Sequence, residues 1–140
     1  MPDQANVEVI SLPGGGGISI HIYDPDIVGA VMDGPPTVVI GTATCTIFTA
    51  TGLPLRVALG SDAAMARLGI DAARCLRLTD PQSGLIIHIM HPNLIAAVVG
   101  GADGSIVLIP GMGALRTREQ PKDVMTAVDE WALVRRAEKP

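Results

Sequence analysis

The chain has 140 residues, of which 48% are apolar, 17% charged and 2% aromatic, with a formal net charge of −4. That length suits one domain with a real hydrophobic core. The negative charge argues against broad affinity for nucleic acid, which rests on Lys and Arg neutralising phosphates, and two cysteines, Cys45 and Cys75, are too few for a disulfide framework.

Taken in order, residues 1–6 are polar and expected to fray. Residues 7–11 read as a short strand, Pro13 and the four glycines after it as a turn, and residues 18–23 as the returning strand of a hairpin. Asp24-Pro25-Asp26 is a turn signal, and residues 27–32 follow as a third strand. After Asp33-Gly34-Pro35-Pro36, residues 37–49 read as one long strand or two short ones. Val39, Gly41, Ala43, Cys45 and Ile47 make an apolar face there, and Thr42, Thr44 and Thr46 a wet one. Residues 53–59 form another strand. Ser61 is placed to cap a helix running through Leu68 and stopped by Gly69.

The second half is expected as strands over residues 74–79, 85–90, 94–99 and 105–109, with turns at 80–84, 91–93 and 100–104. Residues 110–113 lead out. Pro121 opens the clearest helix. Val124, Ala127, Val128, Trp131 and Val134 form its apolar stripe. Asp123 near its start and Arg135, Arg136 and Lys139 near its end suit the helix dipole.

One stretch occurs twice. Residues 18–34 and 85–101 align without a gap, and seven pairs are identical: Ile20/Ile87, His21/His88, Ile22/Ile89, Pro25/Pro92, Ala30/Ala97, Val31/Val98 and Gly34/Gly101. Self-similarity at a fixed offset signals duplication. The expected fold class is therefore α+β, a tandem duplication of a unit made of a four-stranded antiparallel sheet plus a helix. The two units, about 7–69 and 74–138, are expected to pack with pseudo-two-fold symmetry in a single domain over 1–140. In outline this topology resembles the duplicated sheet-plus-helix domains of the Whirly and PUR families, and that resemblance implies single-stranded nucleic-acid binding.

Candidate chemistry is sparse. His21, His88 and His91 are metal candidates, but i and i+3 on a strand point to opposite faces, so His88 and His91 share an ion only across a bend. Satisfied structural histidines are the simpler expectation, and no cofactor is expected. Cys75, flanked by Arg74 and Arg77, is a candidate lowered-pKa thiol, and Cys45 a core residue. No phosphate loop, nucleophile motif or carboxylate pair stands out. Arg116, Arg118, Lys122, Trp131, Arg135, Arg136 and Lys139 form a basic C-terminal set suited to an interface or, less directly, to nucleic acid.

With Phe48, Tyr23 and Trp131 as the only aromatics, the core is aliphatic, and the surplus apolar surface is expected to be buried against further copies. Asp3 and Glu8 precede any basic residue, so no secretory leader is expected. The longest apolar stretch, residues 85–99, is broken by His88, His91, Pro92 and Asn93, so no membrane partner is expected. The leading expectation is a non-catalytic structural subunit forming a homo-oligomer, cytoplasmic or within a virion-like particle. A single-stranded nucleic-acid module comes second. A small metal-dependent enzyme or ligand binder near the histidines comes third.

Overall fold

The computed structural model describes residues 9–33 and 45–138. Expectations that fall on residues 1–8, 34–44 and 139–140, including the strand over 37–44 and Lys139, lie outside the described residues. The first half contains β1 (Ile10–Pro13), β2 (Ser19–Ile22), β3 (Val28–Asp33), β4 (Cys45–Thr49), β5 (Pro54–Val57) and helix α1 (Ser61–Arg67). The second contains β6 (Leu76–Thr79), β7 (Ile86–Ile89), β8 (Ala97–Gly101), β9 (Gly104–Ile109), β10 (Gly113–Thr117) and α2 (Pro121–Glu138).

The fold is α+β, and the described residues form antiparallel sheets of two, three and five strands, ordered β1-β2, β10-β9-β8 and β5-β4-β3-β7-β6. The expected four-stranded sheets do not form among the described residues. The reason lies in β3. Val28, Gly29, Ala30 and Val31 are all buried, so this strand suits a sheet centre, covered on both faces. It pairs with β4 on one side and with β7 of the second half on the other.

Single backbone bonds continue the strand path beyond the ladders. The Ala58 N–H donates to the Pro13 carbonyl at 2.7 Å, and the Arg118 N–H to the Thr79 carbonyl at 2.7 Å. They set β1 beside β5 and β6 beside β10. The strands therefore run in one line from β2 to β8.

The repeated stretch takes the same local shape twice. β2 and β7 are each followed by a 3-10 turn, Pro25–Ile27 or Pro92–Leu94, with proline at its first position. The residue before each turn, Asp24 or His91, has φ −129°, with ψ 99° and 70° respectively, so both stay out of the helical region that a following proline disfavours. Later elements correspond as well. Ile47 pairs with Leu55, and Val107 with Leu115. Ala64 on α1 and Val124 on α2 are both fully buried.

Each half has its own hydrophobic cluster. The first is built from residues including Leu12, Ile22, Val31, Ile47, Val57 and Met65. The second includes Leu78, Ile87, Ile89, Val107, Leu115 and Val124, and it takes in Ala30 of the first half. Both are aliphatic, as the scarcity of aromatics requires. Gly29 sits where the β3–β4 register shifts, and a Cβ there would overlap the Met112 side chain. That close approach brings the second half down onto the bulge.

Several boundaries differ from the sequence reading. Gly60, not Ser61, is the cap of α1, and Ser61 is its first helical residue. Ala72–Arg74 is a 3-10 turn before β6. Leu94 closes the 3-10 turn, and β8 begins only at Ala97. β10 is a full strand paired with β9, beginning at Gly113, where the sequence reading had the chain only leading out.

Candidate functional site

The three histidines do not converge. His21 is exposed on β2, with Nδ1 2.9 Å from the Ser11 hydroxyl. His91 is exposed and makes no capping bond. His88 is 5% exposed on β7, opposite Val31 of β3 and Arg77 of β6. Among the described residues no three His, Cys, Asp or Glu side chains come together in a metal-holding group.

His88 instead joins a small polar cluster at the seam between the halves. Its Nε2 lies 3.3 Å from Asp33 Oδ1 at the end of β3. The Ser61 hydroxyl at the start of α1 donates to the same oxygen. The Nδ1 atom of His88 is buried without a partner. One carboxylate oxygen thus receives a hydroxyl from α1 and faces an imidazole from β7. The serine proton points to the carboxylate and not to the histidine. The base–nucleophile relay of covalent catalysis is not set up in this arrangement. What the cluster does is tie β3, β7 and α1 together. Sequence reading missed Asp33, taken as a turn acid, and Ser61, taken as a cap. The partners are 55 and 28 residues apart in the chain, and no local pattern links them.

Neither thiol is activated. Burial, reinforced by the Asp33 carboxylate, pushes Cys45 from 9.0 up to about 11. Cys75 is also raised, by burial first and then by Asp71, which together outweigh the lowering influence of Arg77 and Arg135. The expected activation of Cys75 by its arginine neighbours is therefore reversed. Arg74 is engaged elsewhere, paired with Glu138 at 2.9 Å.

The basic C-terminal set divides. Arg116 and Arg118 line an open groove of about 860 Å³ together with Asp80 and Asp103. Between them Thr117 turns inward, and its hydroxyl is buried without a partner. Lys122 and Arg136 are exposed on α2. Trp131 packs against the second cluster, and its Nε1–H donates to the Arg74 carbonyl at 2.7 Å. Arg135 stacks over that indole at 5.6 Å and donates to the same carbonyl. No local pattern points to Glu119, whose carboxylate accepts from both the Thr79 backbone N–H and the Thr79 hydroxyl at 2.9 Å.

Large apolar side chains stay exposed at several places among the described residues, Val9, Leu53 and Leu94 included. Val99, Leu108, Met125, Leu133 and Val134 lie on β8, β9 and α2, and Ile18 and Tyr23 flank β2. No helix among the described residues is long and apolar enough to cross a membrane. Comparison of the chain with known protein families, curated proteins and solved structures finds no significant match.

Proposed function

We propose that this protein is a non-catalytic structural subunit that assembles with copies of itself. The observation that carries the reading is the set of aliphatic side chains left in solvent on β8, β9 and α2, with Val99 49%, Met125 60% and Leu133 61% exposed. Aliphatic side chains left exposed on an edge strand and a helix of a charge-poor domain suit burial against another chain.

A tandem duplication accounts for the shared order of five strands and a helix in each half. Under it, residues 1–140 form one domain of two units, about 7–69 and 74–138. A two-fold relation between the units would match the β3–β7 ladder with a β8–β2 ladder in the same chain. Among the described residues that ladder is absent. A head-to-tail relation fits the observed pairing better, and head-to-tail contacts build rings or filaments.

The groove arginines share their lining with the acidic Asp80 and Asp103, and His88 is committed to the seam, so no specific observation favours a nucleic-acid or catalytic reading. Size-exclusion chromatography with light scattering tests the proposal. A discrete mass several times the 14.5 kDa of one chain is expected. A monomer at high concentration would end the reading.

A further inference from the structure

We propose that β8 of one chain pairs antiparallel with β2 of a second copy, repeating between chains the β3–β7 ladder found within one. The inference rests on the self-assembly reading and names the edges that carry it.

β2 and β8 are the two ends of the strand path, and each is paired on one side only among the described residues. They are also the repeat counterparts of the two strands that meet at the internal junction. β7 is the counterpart of β2, and β8 is the counterpart of β3. The internal register is Ala30 opposite Ile89, Val31 opposite His88 and Met32 opposite Ile87. Carried over the 67-residue offset between residues 18 and 85, it sets Ala97 opposite Ile22, Val98 opposite His21 and Val99 opposite Ile20 of the other copy.

Exposure follows this correspondence. At the internal junction Ala30 is 0% exposed, while Leu85, Met90 and Met32 are half-buried. Their counterparts at the chain's ends are open: Ala97 is exposed, and Ile18, Tyr23 and Val99 are 60%, 68% and 49% exposed. The residues left in water are the ones that a second junction would cover.

The faces also agree. Ala30 and Met32 lie against the second cluster with Ile87 and Ile89, whereas Val31 belongs to the first. In the proposed ladder Ala97 and Val99 would meet the partner's cluster beside its Ile20 and Ile22, and Val98 already packs on its own second cluster. The outer junction differs in one respect. Gly100 stands at the Asp33 position, with the Pro121 side chain where its Cβ would be. A His21 arriving there meets no carboxylate. The ladder between chains therefore depends on backbone bonds and apolar burial, without the polar tie seen at His88.

The test uses full-length chains in a Cys75→Ser background, with Cys45 left buried. His21→Cys and Val98→Cys single variants, co-expressed and oxidised, are expected to form a covalent dimer that neither forms alone. Opposed antiparallel residues stand about 4.5–5.5 Å apart at Cα, within disulfide reach. Val99→Asp changes a side chain that is exposed in the single chain, so its circular dichroism should match wild type. Its self-association should weaken roughly a hundredfold or more, because a charge would be buried beside Ile20 and Ile22. A disulfide closed only within the double variant, with no dimer from the mixed singles, would show the two edges meeting inside one chain and overturn the proposal. A wild-type oligomer that neither cross-links nor responds to Val99→Asp sinks these edges and leaves self-assembly standing. A wild-type monomer sinks both.

Discussion

Replacing Trp131 separates what its ring contributes from what its N–H contributes. The indole is half-buried against the second cluster, and its Nε1–H reaches the Arg74 carbonyl at 2.7 Å. Trp131→Phe keeps most of the packing and removes that donor. A hydrogen bond of this kind is worth about 0.5–1.5 kcal/mol. The low end applies here, because the carbonyl lies at an exposed site and Arg135 also donates to it at 3.3 Å. Trp131→Ala removes the ring as well. Truncating a fully buried Trp costs about 3–5 kcal/mol, so a half-buried one costs about 2. Loss of the Arg135 stacking adds about 0.5 kcal/mol at such an exposed site. The expected losses are thus about 0.5 kcal/mol for Phe and about 2.5–3 for Ala. For a chain of this size these correspond to falls in Tm of about 2 °C and about 10 °C. Thermal unfolding followed by far-ultraviolet circular dichroism reads both, since the only Trp fluorophore is gone. Equal shifts for the two variants, or an Ala variant within about 1 kcal/mol of wild type, would refute the claim that the ring fastens α2 to the turn before β6.

Two further outcomes follow from the polar groups. With its thiol held near 11 against 9.0 for a free one, Cys45 should resist iodoacetamide at pH 8 in the native protein, so one thiol, Cys75, is labelled slowly and both are labelled in urea. Because the native pKa lies above the unfolded one, the folded chain keeps a proton the unfolded chain loses, and stability should fall as pH rises from about 9 towards 11; rapid double labelling of the native protein contradicts this. Glu119→Ala leaves the Thr79 N–H and hydroxyl without their acceptor and should cost about 1–3 kcal/mol in urea unfolding. Glu119→Gln should recover most of that loss, and identical midpoints for the two variants would rule the carboxylate out as the acceptor.

How much of this was legible in the sequence depends on how local each signal was. The strand–turn–strand of residues 18–34 and 85–101 could be read because Pro25 and Pro92 stand at the same point of each copy, while the 3-10 character of the turns and the later start and end of β8 were missed. α2 was legible from Pro121 and its apolar stripe, although Val134, the last residue of that stripe, is 50% exposed. β10 was not legible. Gly113-Ala-Leu-Arg-Thr has Leu115 as its only large apolar residue, and it becomes a strand because β9 offers it a partner. Strand partnership was hidden for the same reason. Local pattern says that β3 is apolar on both faces, but not that β7 supplies its second neighbour. The cluster of His88, Asp33 and Ser61 is made of residues that each have an ordinary local explanation. Only the β3–β7 ladder brings them together.

The two hydrophobic clusters differ in what they must wait for during synthesis. The buried residues of the first run from Leu12 to Leu68, so it can condense as soon as that much chain has left the ribosome. The second draws on Ala30, with Met32 and Phe48 packed against it, and so needs the earlier half already in place. Pulse-labelled hydrogen exchange should accordingly protect Val31 and Ile47 before Val107 and Leu115. Until β7 arrives, a nascent chain displays the edge of β3, which is of the same kind as the edge β8 keeps, and a stalled chain would capture a neighbour's β2 or β7 there.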